Sequence, residues 1–213
     1  MKRCFLLFVV MLSLFGFTSQ ATAANDEFYG AQLEVSATGI DTSSSPAAGV
    51  DLNAGGRAGF GARFIFPIQG NFEGTAVVSQ QDYHATMEGL SLQGGPASTT
   101  FAGTVRYRID DDPHFKPYAG VGIHHTNFDS AQLAGGQFSI ASASITGAVG
   151  EIGVRMPLNE VGKGLYVDLN ASRYFGSASN VPMATTPAFG SVPITNVNIG
   201  NPTKFSIAVG FSF

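Results

Sequence analysis

His124, Thr126 and Asn127 come nearest, in type and spacing, to a catalytic set in this chain. An imidazole close to a hydroxyl can serve as base to a nucleophile, provided an orienting acid stands within hydrogen-bond reach. The next glutamate along the chain is Glu151, well outside that local unit. The expectation is therefore that His124 caps a polar interior, that His125 lies near an outer interface, and that the chain is not an enzyme. His84, His114, His124 and His125 show no metal-ligand spacing on a shared element. Asp110-Asp111-Asp112 lacks the rest of a calcium loop, including its final Glu, and reads as a solvated turn. The many glycines form no phosphate-cradling motif between a strand and a helix. No metal site and no cofactor is expected.

What remains is a set of charges with a regular placement. Glu34, Arg57, Arg63, Glu73, Arg106, Arg108, Glu151, Arg155, Asp168 and Lys204 all fall on one face of alternating stretches. Period-two alternation is the mark of strands with two different faces. The last stretch is clearest, with Phe205, Ile207, Val209, Phe211 and Phe213 alternating with Ser206, Ala208, Gly210 and Ser212. Seven others precede it: Tyr29 to Ser36, Arg57 to Phe64, Phe72 to Ser79, Phe101 to Arg108, Tyr118 to His124, Gly147 to Arg155, and Leu165 to Ser172. No Asp, Glu, Lys or Arg occupies their apolar face.

A soluble sandwich would carry its charges outside and its apolar face inside. A transmembrane barrel reverses this, because a charge facing lipid costs about 2–4 kcal/mol at the bilayer midplane. Strands of roughly ten residues are long enough to cross a bilayer at a tilt. Connections alternate between tight polar turns (68–70, 110–114, 159–163) and long stretches (39–56, 84–98, 127–143, 176–201). Phe28, Tyr29, Phe66, Phe72, Tyr107, Phe115, Phe211 and Phe213 gather near the short turns and the termini, as an interfacial girdle would. The fold expected is all-β, an eight-stranded antiparallel up-and-down transmembrane β-barrel.

Composition agrees. Charged residues make up 12% of the 213, Gly counts 27 and Phe 18, which suits many strands and turns rather than a helical bundle or a disordered chain. A net charge of −4 without a basic cluster argues against a nucleic-acid partner. Lys2 and Arg3, the apolar run Cys4 to Phe17 and the small residues Ala21-Thr22-Ala23 read as a secretion signal. Residues 1–23 are expected to be cleaved, leaving 24–213 as the barrel domain, without a cysteine.

The pattern resembles the small outer-membrane barrels grouped around OmpA, OmpX and OmpW. Lys116-Pro117-Tyr118-Ala119-Gly120-Val121-Gly122-Ile123, followed by Thr126 and Phe128, is most similar to the fifth strand of OmpW, and Asn201-Pro202 before the last strand is similar too. The ending on Phe213 resembles the signal read by the outer-membrane assembly machinery, with Phe205, Ile207, Val209, Phe211 and Phe213 as its residues. The resemblance implies a place in the outer membrane among its lipid and lipopolysaccharide. It also implies a narrow conduit for small hydrophobic molecules. A barrel acting through its surface loops is the alternative. His124, Thr126 and Asn127 loosely resemble the His-x-Ser-Asn stretch of outer-membrane lipid A deacylases, with Thr126 in place of Ser. The inward charges would form a paired plug or line a narrow polar path, since an eight-stranded barrel is about filled by its own side chains.

Overall fold

The structure, a computed structural model, describes residues 30–44, 52–87, 90–91, 95–158, 164–185 and 193–212. The signal stretch, Phe28, Tyr29 and Phe213 lie outside these residues, as do the side chains of Arg57 and His84. The described residues form twelve strands. They are β1 (Gly30–Ser44), β2 (Leu52–Gln69), β3 (Phe72–Met87), β4 (Leu90–Ser91), β5 (Ala97–Arg108), β6 (Lys116–Phe128), β7 (Ala131–Leu133), β8 (Phe138–Ile140), β9 (Ala143–Pro157), β10 (Leu165–Tyr174), β11 (Ser177–Thr185) and β12 (Pro193–Ser212).

Eight of them make the wall, in the order β1-β2-β3-β5-β6-β9-β10-β12, each antiparallel to its neighbours. β1 pairs with β2 on one side and β12 on the other, which closes the barrel. Where each strand is paired on both sides, the wall can sit in lipid with its polar backbone satisfied. No helix among the described residues is long and apolar enough to cross a membrane.

Side chains alternate as the register demands. Leu33, Val35, Phe60, Phe101, Val105, Val121, Ile123, Ile152, Phe205, Ile207 and Val209 are exposed on the outer wall. Gln32, Glu34, Ser36, Glu73, Thr75, Thr104, Arg106, Asp168 and Asn170 are buried inside. Phe66, Phe72, Tyr107, Phe115 and Phe211 are exposed at the end bearing the tight turns, and the rings of Phe72 and Tyr107 meet edge-on at 5.2 Å. The turn between β2 and β3 needs Gly70, whose φ is +55°, in the left-handed region.

The strands outrun the expected ten residues. β2 spans 18 and β12 spans 20, so much of 39–56 and 176–201 is ladder rather than loop, with Ser44 paired to Val197 and Leu52 to Met87. A ladder is made by the backbone and continues past the apolar belt for as long as partners exist. Hydropathy marks where lipid ends, and the strand goes on.

Candidate functional site

The interior carries two layers of different chemistry. In the lower layer, toward the tight turns, Glu151 on β9 is the hub. Arg106 donates to it twice, Nε to Oε1 at 2.6 Å and Nη2 to Oε2 at 2.9 Å. Arg63 donates from Nη1 to its Oε2 at 2.9 Å and from Nη2 to Glu34 Oε2 at 3.4 Å. The Thr104 hydroxyl also donates to Glu151, and Lys204 pairs with Glu34. Arg155 grips Glu73 in a fork, 3.0 Å on each arm, and Arg108 pairs with the same carboxylate. Arg155 also faces Asp168 at 3.9 Å.

Polar bridges join these groups. The Tyr118 hydroxyl donates to Asp168 at 2.6 Å and accepts from the Asn170 amide, which also donates to Glu151. The guanidiniums of Arg106 and Arg155 lie over the rings of Tyr118 and Tyr166, at 4.1 and 5.2 Å. Arg63, Arg106 and Arg155 are at most 1% exposed. Charges so far from water persist only when paired and hydrogen-bonded. The lower lumen is crossed by a buried ionic plug of these paired groups.

Inward glycines make the plug possible. Arg106 on β5, Gly120 on β6 and Glu151 on β9 are neighbours in register. A Cβ on Gly120 would stand 2.8 Å from Arg106 Cγ and 3.2 Å from Glu151 Cγ, so the missing side chain is the slot in which the pair meets. Gly61 leaves space for the Glu34 carboxylate in the same way, at 2.9 Å from its Oε1.

At the tight-turn rim, Arg108 donates to both oxygens of Asp110 at 2.6 Å, and Lys116 lies 3.4 Å from Oδ1. The Arg108 hydrogen bonds, aided by the charges of Arg108 and Lys116, hold the Asp110 carboxyl below its ordinary 3.8. Asp112 accepts from the backbone N–H groups of His114 and Phe115, so that part of the acidic triplet is a capped turn. Among the described residues no cluster of His, Cys, Asp and Glu could hold a metal ion.

Above the plug, His124 Nε2 donates to the Phe175 carbonyl at 3.2 Å, and its ring meets Tyr174 edge-on. In the neutral ring Nδ1 then accepts from the Thr126 hydroxyl, also at 3.2 Å. His124 and Thr126 thus touch as base and hydroxyl would. The third position, however, is a backbone carbonyl rather than an acid, and both side chains are buried at 2% exposure. His125 faces outward and bonds Thr146 at 2.6 Å.

The upper layer was not foreseen from the sequence. Tyr83, Phe128 and Ile145 from the wall pack with Leu133, Ile140 and Val181 from the short strands above it, and all six are buried. Phe138, Ala141 and Ala178 pack against them. The hairpin of β7 and β8 turns through Gly135 and Gly136, both at positive φ, and β8 pairs with β11. The signal for it was the spacing of Phe128, Leu133, Phe138 and Ile140 in a stretch read as loop.

Beside this cluster the wall changes partners. The β9–β10 ladder runs to Tyr174 opposite Val149, with one further bond from Phe175 N to Ala148 O. Beyond it, Ala143–Gly147 of β9 pair with β6 alone, while β11 pairs with β12 and β8. Gly176, at φ +141°, carries the chain across that step. Among the described residues no β9–β11 ladder forms, so an unpaired seam runs between them beside Ile145, whose Cγ2 lies 2.8 Å from where a Cβ on Gly176 would stand.

A family model described as an outer membrane protein beta-barrel domain matches residues 9–213. Among solved structures, the chain is similar to the outer membrane protein OprG from Pseudomonas aeruginosa. The identity is 19%, the match covers 88% of this chain and 94% of that one, and the TM-score is 0.64. The outer membrane protein AlkL, solved in lipid bilayers, is 14% identical over 92% and 95% of the two chains, with a TM-score of 0.56. Neisserial surface protein A is 13% identical over 87% and 97%, with a TM-score of 0.52. At such identities the likeness is one of fold. No curated protein gives a significant match to the sequence.

Proposed function

The chain belongs to the outer membrane protein β-barrel domain family and resides in the outer membrane, and on that footing we propose that it is a non-enzymatic passage for small hydrophobic molecules. They enter at the extracellular mouth and leave sideways into the bilayer. The observation that carries this reading is the apolar cluster seated over an ionic plug and beside a seam in the wall. A hydrophobic molecule gains by burying its surface among Leu133, Ile140 and Ile145, at about 25 cal/mol per Å². Straight below, it would have to part Arg63, Arg106 and Glu151, which leaves buried charges uncompensated. Between Ala143–Gly147 and β11 it meets lipid. The cluster rests partly on three-residue strands and a glycine turn, elements that open at lower free energy than the wall.

In this reading Glu34, Arg63, Glu73, Arg106, Arg108, Glu151, Arg155, Asp168 and Lys204 close the lumen and fix strand register. Phe205, Ile207, Val209, Phe211 and Phe213 present the last strand to the assembly machinery, after residues 1–23 have been removed from a mature domain of 24–213.

The test is uptake into liposomes holding the refolded mature barrel. Hydrophobic solutes should enter faster than in empty vesicles, with small polar solutes unchanged. A second reading, a barrel that acts through its loops and conducts nothing, is favoured by the packing of plug and mouth. It stands if neither class of solute enters vesicles whose barrel is fully folded by heat-dependent gel mobility.

A further inference from the structure

At the foot of the seam one backbone carbonyl is turned out of the ladder. The Phe175 N–H still donates to the Ala148 carbonyl, at 2.8 Å. In an antiparallel ladder such a pair exchanges both bonds, so the ladder place of the Phe175 carbonyl is on the Ala148 N–H. It points into the lumen instead, where His124 Nε2 donates to it at 3.2 Å. A carbonyl only accepts, which fixes the tautomer of the neutral ring.

Three features hold that arrangement. Gly147 is the inward residue of β9 beside the carbonyl, and a Cβ there would overlap the Phe175 oxygen. The oxygen thus fills the space of a missing side chain. The His124 ring is buried and set edge-on against Tyr174, with 4.9 Å between centroids. Its Nδ1 accepts from the Thr126 hydroxyl at 3.2 Å, and Thr126 in turn accepts from Thr100 at 3.0 Å. This relay runs from β5 across β6 and aims Nε2 at the end of β10. Beyond Phe175, the chain passes through Gly176 to β11, and Ala143–Gly147 keep β6 as their ladder partner.

A buried carbonyl takes a donor wherever one is in reach. Two compete for this one, His124 Nε2 and the Ala148 N–H. While His124 holds it, the β9–β10 ladder ends on half a rung and the seam begins there. With the oxygen on Ala148 instead, Phe175 would be zipped to β9 and the seam would be shorter.

We propose that His124 is a latch that holds the foot of the seam open, with Gly147 as its slot and Thr126 as its support. The proposal rests on the passage described above and assigns the residue that sets its lateral exit. His124 is a positioning residue, acting through the Phe175 carbonyl rather than on the solute.

The experiment reads two quantities on the mature barrel: exchange of the Ala148 amide, by NMR in nanodiscs, and uptake of a hydrophobic solute into liposomes. His124→Phe removes the donor and keeps a ring. The Ala148 amide should then exchange about fivefold more slowly, the effect of one net hydrogen bond, and uptake should fall by a similar factor. His124→Gln, whose amide nitrogen can stand where Nε2 stood, should restore both. Gly147→Ala leaves His124 in place but displaces the carbonyl, so it should behave as His124→Phe does, and it decides the matter if His124→Phe fails to fold. The latch is overturned if Ala148 exchange is unchanged in the folded variants, or if His124→Gln behaves as His124→Phe. Slowed exchange with unchanged uptake overturns its role at the exit. If wild type takes up no hydrophobic solute, the passage itself falls, while Ala148 exchange still decides whether His124 holds the seam.

Discussion

The lower lumen and the mouth above it are filled by opposite chemistries and held by different forces. In the plug each contact is directional, and a forked pair such as Arg155–Glu73 tolerates no shift of register. In the cluster around Leu133 the attraction depends on area and packing, and the same residues can pack in more than one way. The plug is carried by paired strands, while the cluster rests in part on short loop strands. In the proposed passage, the directional plug would keep ions back and the apolar mouth would yield to a hydrophobic molecule.

The sharpest way to break this comparison is at Glu151. Glu151→Gln leaves Arg63 and Arg106 without their shared counter-charge. It should lower the stability of the whole barrel by about 3–5 kcal/mol, read by urea unfolding in vesicles. The outer wall makes the next contrast. Val209→Arg puts a charge in lipid at a cost of about 2–4 kcal/mol and should impair assembly far more than Ser206→Arg, whose side chain points inward. Equal outer-membrane levels of the two variants would mean the faces are misassigned. Leu133→Ala in the mouth should cost about 2–3 kcal/mol, but locally: chymotrypsin should cleave near Phe138 while heat-dependent mobility stays normal. If Leu133→Ala instead unfolded the barrel as Glu151→Gln does, the two layers would not be separable.

The smallest effect lies at the rim. Asp110 has a carboxyl held below its ordinary 3.8, so its contribution is present above that pH and is lost as pH falls through the lowered value. The pair is partly solvated and worth less than about 1 kcal/mol. Asp110→Asn should remove that part of the acid sensitivity and leave stability near neutral pH only slightly reduced. An unaltered acid profile would show that Arg108 and Lys116 do not act through Asp110.

The wall was legible because lipid outside and charge inside impose a strict period of two, which Phe205–Phe211 and Tyr29–Ser36 display residue by residue. The partners of each charge were not, because Arg63 reaches Glu151 across the lumen, 88 residues away in sequence. Which inward acids and bases meet depends on register and on slots such as Gly120. The mouth was read as loop because strands of three residues have no period to detect.

The most direct test of the account is to record ion conductance and hydrophobic-solute uptake on the same reconstituted vesicles. The account predicts uptake without conductance, because the apolar route leaves sideways above an intact plug. Ion conductance rising together with uptake would contradict it, since both would then pass straight through the lumen.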